Sequence, residues 1–330
     1  MPTSLNPTDI ETLILASIDQ RYQAQARRDL ADYVFANYLF HAYSPAFLEF
    51  AYQYRQEIVA YLAEAGHVTG LVDYCIRATK SYTYQRNQFI NFTRFYDELL
   101  AAEYHDFLSG LRAALAKVKT KEALADAFGL ALRRHHERLR LILSSYCLAY
   151  QPTDLLENPL LKTVPCEEYS ASFQLRLLGL EITDLVEPIL DVGCGAGGRL
   201  VEQLIAQGYA AFGLDRLVPP GPHFFAQDWF AFDYGQKRWG TIIAHQSFST
   251  HFIHAHLHHS ANTEQFARTY MRLLAGLKAG GSFCYAPGLP FFEESLAQTG
   301  RYTLTKTTIA ADRSLGIGEI FYAMKVTPLA

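Results

Sequence analysis

The sequence predicts an α/β fold in its second half, a doubly wound, mostly parallel sheet of seven strands, preceded by an all-helical domain. Three observations carry this. Residues 189–199 read ILDVGCGAGGR: an apolar run ending in an acid, four glycines in six residues, and then a segment, residues 200–205, with helical spacing. A strand that stops at a glycine turn and feeds a helix brings bare backbone and a helix N-terminus up to one ligand. Beyond the turn, strand-length apolar runs alternate with helical segments, the pattern of a parallel doubly wound sheet. Before it, from residue 8 to about residue 150, long stretches lack proline and glycine and carry apolar residues three and four apart.

At 330 residues the chain exceeds what one hydrophobic core usually serves, so two domains are expected, 1–155 and 156–330. With half its residues hydrophobic and 19% charged it is globular. A formal net charge of −4 supplies no general basic surface, which disfavours nucleic acid or an anionic membrane as partner. Five scattered cysteines without CxxC spacing suit a reducing compartment and no structural zinc. The first residues are acidic rather than basic, and no apolar run approaches the ~18 residues that span a bilayer. A cytoplasmic location is the expectation.

In the helical half, Ile10, Leu13, Ile14 and Ile18 set one stripe and Phe47, Phe50, Tyr54, Ile58 and Leu62 another, with five or six helices expected in all. The aromatics Tyr82, Tyr84, Phe89, Phe92, Phe95 and Tyr96 have the spacing of buried helical faces, which favours core filling over a substrate wall. The basic run Arg133, Arg134, His135, His136, Arg138 and Arg140 is expected to be a solvated helix face. Prolines 152, 159 and 165 mark a linker over residues 151–165. A short helix around Phe173 to Leu178 is expected ahead of the first strand.

The remaining strands are expected at 209–214, ending in Asp215; at 224–227, followed by Asp228; at 239–244; and at 282–286, after the Gly280-Gly281 turn. A helix is expected at 262–277. The tail alternates like two paired strands, 302–309 and 319–326, joined across 310–318.

The turn satisfies GxGxxG through Gly193, Gly195 and Gly198, and D-x-G-x-G-x-G through Asp191, Gly193, Gly195 and Gly197. The second parse is favoured. An acid at the end of the first strand repels a pyrophosphate and attracts a sulfonium or ammonium group. Acids recur after the next two strands, at Asp215 and Asp228, where carboxylates can accept hydrogen bonds from ribose hydroxyls and an exocyclic amine.

On these residues the second half, about 166–330, resembles the class I, Rossmann-like S-adenosylmethionine-dependent methyltransferases. The resemblance implies a Rossmann-like sheet with an added antiparallel hairpin and S-adenosyl-L-methionine as cofactor. It implies a first motif over Asp191, Gly193, Cys194, Gly195 and Gly197, a ribose-binding acid at Asp215 beside Arg216, and an adenine-side acid at Asp228 beside Trp229, with His245 also lining the site. Lys278-Ala279-Gly280-Gly281 stands where the family usually has Lys-Pro-Gly-Gly. Trp239-Gly240 replaces the common Phe-Asp, and His245-Gln246-Ser247-Phe248 replaces the Asn/Asp-Pro-Pro-Tyr motif of enzymes that methylate bases or glutamine.

Methyl transfer from a sulfonium needs chiefly a positioned acceptor, and a base only where a proton must leave. Half of the twelve histidines lie between 245 and 259, and His245 and His251 are the candidates for binding the acceptor or taking its proton. His251, His254 and His258 would share a face if helical, but no carboxylate or cysteine completes a set before Glu264, so no metal is expected. Cys194 reads as a small side chain tucked behind the loop. The leading expectation is methylation of oxygen or nitrogen on a small-molecule acceptor, with the helical domain covering the acceptor side. The alternatives are a non-catalytic binder of the cofactor or its product with a helical interaction module, and an RNA or protein methyltransferase docking through the Arg133 to Arg140 face.

Overall fold

The computed structural model describes residues 5–25, 28–35, 43–152, 154–165, 169–309 and 321–329. It divides into two compact units, Met1–Pro165 and Cys166–Ala330. The division falls ten residues beyond the expected boundary at 155/156. The linker expected at 151–165 is stitched into the first unit: buried Asn158 donates to the Cys147 and Gln151 carbonyls, Asn87 donates to the Pro159 and Lys162 carbonyls, and Val164 exchanges backbone bonds with Arg86 and Gln88.

The described part of the first unit holds seven α-helices, more than the five or six expected: α1 (Pro7–Gln25), α2 (Leu30–Phe35), α3 (Pro45–Gln53), α4 (Arg55–Tyr61), α5 (Ala65–Arg86), α6 (Arg94–Lys117) and α7 (Lys121–Tyr150). The stripe from Phe47 to Leu62 is broken at Tyr54, which ends α3 and begins α4. On α6, which packs against α4, α5 and α7, Tyr96, Leu100, Tyr104, Leu108, Leu111 and Leu115 are buried at three- and four-residue spacing. Of the six aromatics read as core, Tyr84, Phe92 and Tyr96 are buried, whereas Phe95 is 60% exposed.

The basic run on α7 corrects the expectation of a solvated face. Arg133, Arg134 and Arg138 are exposed, but His135 and His136 are buried, because they continue the inward stripe Phe128, Leu132, Leu143 and Tyr146. His135 bonds to Glu103 at 2.9 Å; burial nonetheless lowers its basicity, as it does that of His136, which falls to about 2.

The second unit is built from α8 (Ala171–Leu178), β1 (Ile189–Val192), α9 (Arg199–Ala206), β2 (Ala211–Leu214), β3 (Phe224–Phe225), β4 (Trp239–His245), α10 (Phe248–Leu257), α11 (Thr263–Ala275), β5 (Leu277–Ala286), α12 (Pro290–Gln298), β6 (Tyr302–Thr308) and β7 (Tyr322–Pro328). The seven strands form one sheet in the order β3-β2-β1-β4-β5-β7-β6. Strands β1 to β5 pair in parallel, and β7 runs antiparallel between β5 and β6. The segment joining the last two strands lies outside the described residues.

Side chains alternate across the sheet. Leu190, Val192, Ile242 and Ala244 pack with α10 and α11, while Ile189, Ile243 and Cys284 pack with α8 and α9. Two strands depart from expectation, and the histidine-rich segment takes its helical alternative. The third strand is two residues long. The histidine-rich segment forms α10, whose inward face is Phe248, Phe252 and Ala255, an apolar stripe concealed between the histidines. The Gly280-Gly281 turn lies inside β5: Gly280 has φ +74°, and a Cβ on Gly281 would stand 2.8 Å from the Gly240 carbonyl, so the two strands approach where neither carries a side chain.

Candidate functional site

In the run β2-β1-β4 the chain first builds outward on one side of β1 and then crosses to the other. The C-terminal ends of β1 and β4 therefore border the crevice at which open α/β sheets bind ligands. Val192, Leu214 and His245 end the three strands, and the loops leaving them carry almost every residue singled out from the sequence.

The glycine turn is shaped by close approaches. Gly193 has φ +83°, and a Cβ there would fall 2.3 Å from Ser247 Cβ and 3.1 Å from Trp229 Cζ2. Its N–H donates to the Leu214 carbonyl at 2.7 Å, tying the turn to β2. Gly195, φ +74°, is buried, whereas Ala196 and Gly197 are exposed. Gly198, φ +55°, is the N-cap of α9, and the Phe224 ring lies 2.4 Å from where its Cβ would be. Cys194 is turned inward: its Sγ occupies the space above Gly213, 2.7 Å from where a Cβ would project. It is a packing atom in that position.

Asp191 is 1% exposed, and its Oδ2 has no hydrogen-bond partner. Burial, and secondly the charge of Asp215, raise its carboxyl from 3.8 to about 7. Asp215 is differently held. One oxygen accepts from the Gly195 N–H at 3.2 Å and the other from the Leu217 N–H at 2.8 Å, so the acid after β2 braces the turn after β1. Asp228 is half-buried and accepts from the Phe230 N–H at 2.7 Å, closing the turn that presents Trp229.

The two candidate histidines are placed apart. Asp191 pairs with Ile243 across the ladder, and His245, two residues on, shares that face of the sheet. The rings of Tyr169 and Phe173 meet the His245 ring edge-on at 5.2 and 5.9 Å. Burial lowers His245 to about 4, and its Nε2 has no partner. His251 lies on α10 in the opposite layer, where the Trp229 ring meets it edge-on at 4.8 Å. Burial, then the charges of Arg216 and His254, hold it well below the ordinary histidine range. The two imidazoles, both made less basic by burial, thus lie in different layers of the unit and do not form an acid–base pair. The His254 and His258 rings approach to 4.4 Å, but among the described residues no three histidines, cysteines or acids are grouped to hold a metal ion.

Five contributors escape sequence reading. Ser247 donates to the Val192 carbonyl at 2.6 Å and so joins the ends of β1 and β4. Ser249 Oγ is buried without a partner in the first turn of α10. Tyr169 and Phe173 wall off His245. Gln246 stands between His245 and Ser247 at φ +46°, a left-handed conformation that a side chain adopts at a cost of ~1 kcal/mol or more and that collects at functional sites. The tetrapeptide His245-Gln246-Ser247-Phe248 was the available signal, visible as a departure but with no feature that gave its geometry.

No family model matches the sequence, and no curated protein matches it. Solved structures match over about half of the chain. A TehB-like SAM-dependent methyltransferase from Corynebacterium glutamicum is 16% identical, with 48% of this chain and 94% of that one covered and a TM-score of 0.32. The cyclase SpnF is 15% identical, with 48% and 81% covered and a TM-score of 0.29. A putative methyltransferase from an antibiotic biosynthesis pathway of Anabaena variabilis is 14% identical, with 47% and 98% covered and a TM-score of 0.28. Each of these matches covers about half of this chain, and at such identities its chemistry is to be read from its own residues.

Proposed function

We propose that residues 166–330 bind S-adenosylmethionine and transfer its methyl group to oxygen or nitrogen of a small-molecule acceptor. The observation that carries this is Asp191: a buried carboxylate with an unpartnered oxygen at the end of β1, beside a turn whose first glycine has no room for a side chain. A carboxylate so placed gains from a cation and loses with a pyrophosphate, which separates S-adenosylmethionine from a dinucleotide. The residues fit the cofactor: Asp191 for positive charge, the Gly193 to Gly197 backbone for close approach, Asp215 for ribose hydroxyls, and Asp228 with Trp229 on the adenine side. The bound cofactor supplies an already activated methyl group.

The chain's own share is positioning and proton handling. His245, kept neutral by burial, has a buried Nε2 without a partner that would take a proton from an acceptor hydroxyl or ammonium brought against it, and Tyr169 and Phe173 restrict water around it. An imidazole at about 4 is a weak base, which suits an assisting role with a donor that needs little help. That same weakness favours a second reading, binding of the cofactor or its product without catalysis. For RNA or protein acceptors the first unit's basic run offers little, since His135 and His136 are buried and Arg138 is engaged with Glu103 and Asp106.

Titration calorimetry with S-adenosylmethionine, S-adenosylhomocysteine and NAD tests the binding step; a stronger response to NAD would remove the proposal. Incubation with methyl-labelled S-adenosylmethionine and fractionated metabolites tests transfer. Binding with no labelled product across the fractions would leave the non-catalytic reading in its place.

A further inference from the structure

The helical unit contains a cavity of about 150 Å³. Its lining is mostly apolar and aromatic, with Ile14, Ala51, Leu108 and Phe128 on its walls and Tyr43 stacked on Phe47 at 4.8 Å. Tyr22 and Tyr43 are only half-buried by accessible surface, yet burial raises both hydroxyls to about 12. An apolar space of this size accepts a single six-membered ring.

One stretch of the wall is built from three hydroxyls, one each from α1, α5 and α6. Tyr22 Oη lies 2.7 Å from Thr79 Oγ1 and 2.9 Å from Tyr104 Oη, and Thr79 Oγ1 lies 2.5 Å from Tyr104 Oη. Thr79 also donates its hydrogen to the Cys75 carbonyl at 2.9 Å. The two tyrosines are then left to supply the hydrogens for all three contacts, and each oxygen has two lone pairs. The triangle is short of donors and rich in acceptors. A ligand that satisfies it brings an O–H or N–H.

We propose that the helical unit is a receptor for a single-ring aromatic molecule bearing one hydrogen-bond donor, of the phenol class, seated in this cavity with its O–H directed into the Tyr22–Thr79–Tyr104 triangle. The apolar and aromatic walls take the ring, and the hydroxyl triangle takes the donor. His135 and His136, both lining the cavity, are held neutral by burial, and the lining cation Arg21 lies over the Tyr43 ring at 4.8 Å from its centroid, where it meets an aromatic face. The inference is independent of methyl transfer in the second unit.

The experiment uses the full chain and three probes of nearly equal shape: phenol, anisole and toluene. Ligand-observed NMR titration should show saturable binding of all three, with phenol tighter than the two that lack a donor by about two- to tenfold, the worth of one net hydrogen bond. Intermolecular NOEs from the phenol ring should reach the Ala51 and Leu108 methyl groups. In a Thr79→Val, Tyr104→Phe variant the preference for phenol over toluene should shrink toward unity while toluene retains its affinity, a ratio that loss of fold would not imitate. If that variant fails to fold, the probe series on the native protein decides alone. Equal affinities for phenol and toluene, absence of saturable binding, or NOEs to residues outside the cavity would each overturn the proposal.

Discussion

Burial of Asp191 makes cofactor affinity depend on pH, with a predictable sign and size. Its carboxyl stands at about 7 against an ordinary 3.8, raised by burial and then by Asp215, so near neutrality about half of it is protonated. A sulfonium or ammonium beside it binds the ionised form, and binding below pH 7 must release a proton. Affinity therefore rises with pH up to about 7 and levels off above. Between pH 8 and pH 6 the ionised fraction falls roughly tenfold, so the Kd for S-adenosylmethionine should rise about tenfold over that interval. Calorimetry in buffers of different ionisation enthalpy reads both the Kd and the proton released. Asp191→Asn should abolish the dependence on Asp191 and, at pH 8, bind more weakly by ~1.5–3 kcal/mol, the value of a charge-assisted contact. The same group acts on stability. The folded protein holds this proton more tightly than the unfolded chain does, so its contribution declines as pH rises from 3.8 to about 7, by ~4 kcal/mol in full. Denaturant unfolding at pH 5 and pH 8 should show that slope, flattened in Asp191→Asn. A native Kd that is the same at pH 6 and pH 8 would refute the assignment of Asp191 to the ligand's positive charge.

Three other outcomes are expected. Asp215→Ala should weaken cofactor binding by at least ~1.5–3 kcal/mol, because the ribose contact is lost and the Gly195 N–H loses its acceptor; an unchanged Kd would mean that this acid does not serve the cofactor. Gly193→Ala should abolish binding, since the new Cβ would meet Ser247 Cβ at 2.3 Å from a backbone held at φ +83°; calorimetry on the variant, with circular dichroism to follow its fold, checks this. A fragment of residues 166–330 contains both cores of its sheet and should fold alone and bind S-adenosylhomocysteine in a thermal-shift assay; a fragment that folds by circular dichroism yet shows no shift would mean that the binding residues lie elsewhere in the chain.

How far the sequence could be read depended on whether a feature is periodic or three-dimensional. The strand–glycine–helix passage and the acids at Asp191, Asp215 and Asp228 could be located because each βα unit repeats the same grammar along the chain. The mostly parallel pairing followed from the same grammar, and the antiparallel last pair from the alternation of the tail and from the family resemblance. What escaped was set by contacts between distant residues. His135 and His136 look like part of a charged run until Phe128, Leu132 and Leu143 are seen to share their face of α7. Asn158 looks like linker until its side chain is found bonding the end of α7. The stretch from 245 to 259 leaves loop and helix equally open in the sequence because its histidines mask the pattern, and only Phe248, Phe252 and Ala255 mark the inner face of α10. Asp215 was legible as an acid near the crevice, but not as the brace of the Gly195 turn, since that bond joins two strands through a loop of irregular backbone.

The Phe224 ring sits against two glycines at once, 2.4 Å from the Cβ position of Gly198 and 2.9 Å from that of Gly213, with Cys194 Sγ filling the rest of the hollow above Gly213. Positions 194, 198, 213 and 224 therefore share a single fixed volume. A chain of this fold can enlarge one of them only by shrinking another: alanine at 213 calls for a smaller residue at 194 and a narrower one at 224, and at 198 a smaller residue at 224 frees the space for a Cβ while the φ of +55° still favours glycine. Variation at these four sites should be correlated across descendants of this sequence, and a library randomised at all four should recover compensated sets far more often than single changes.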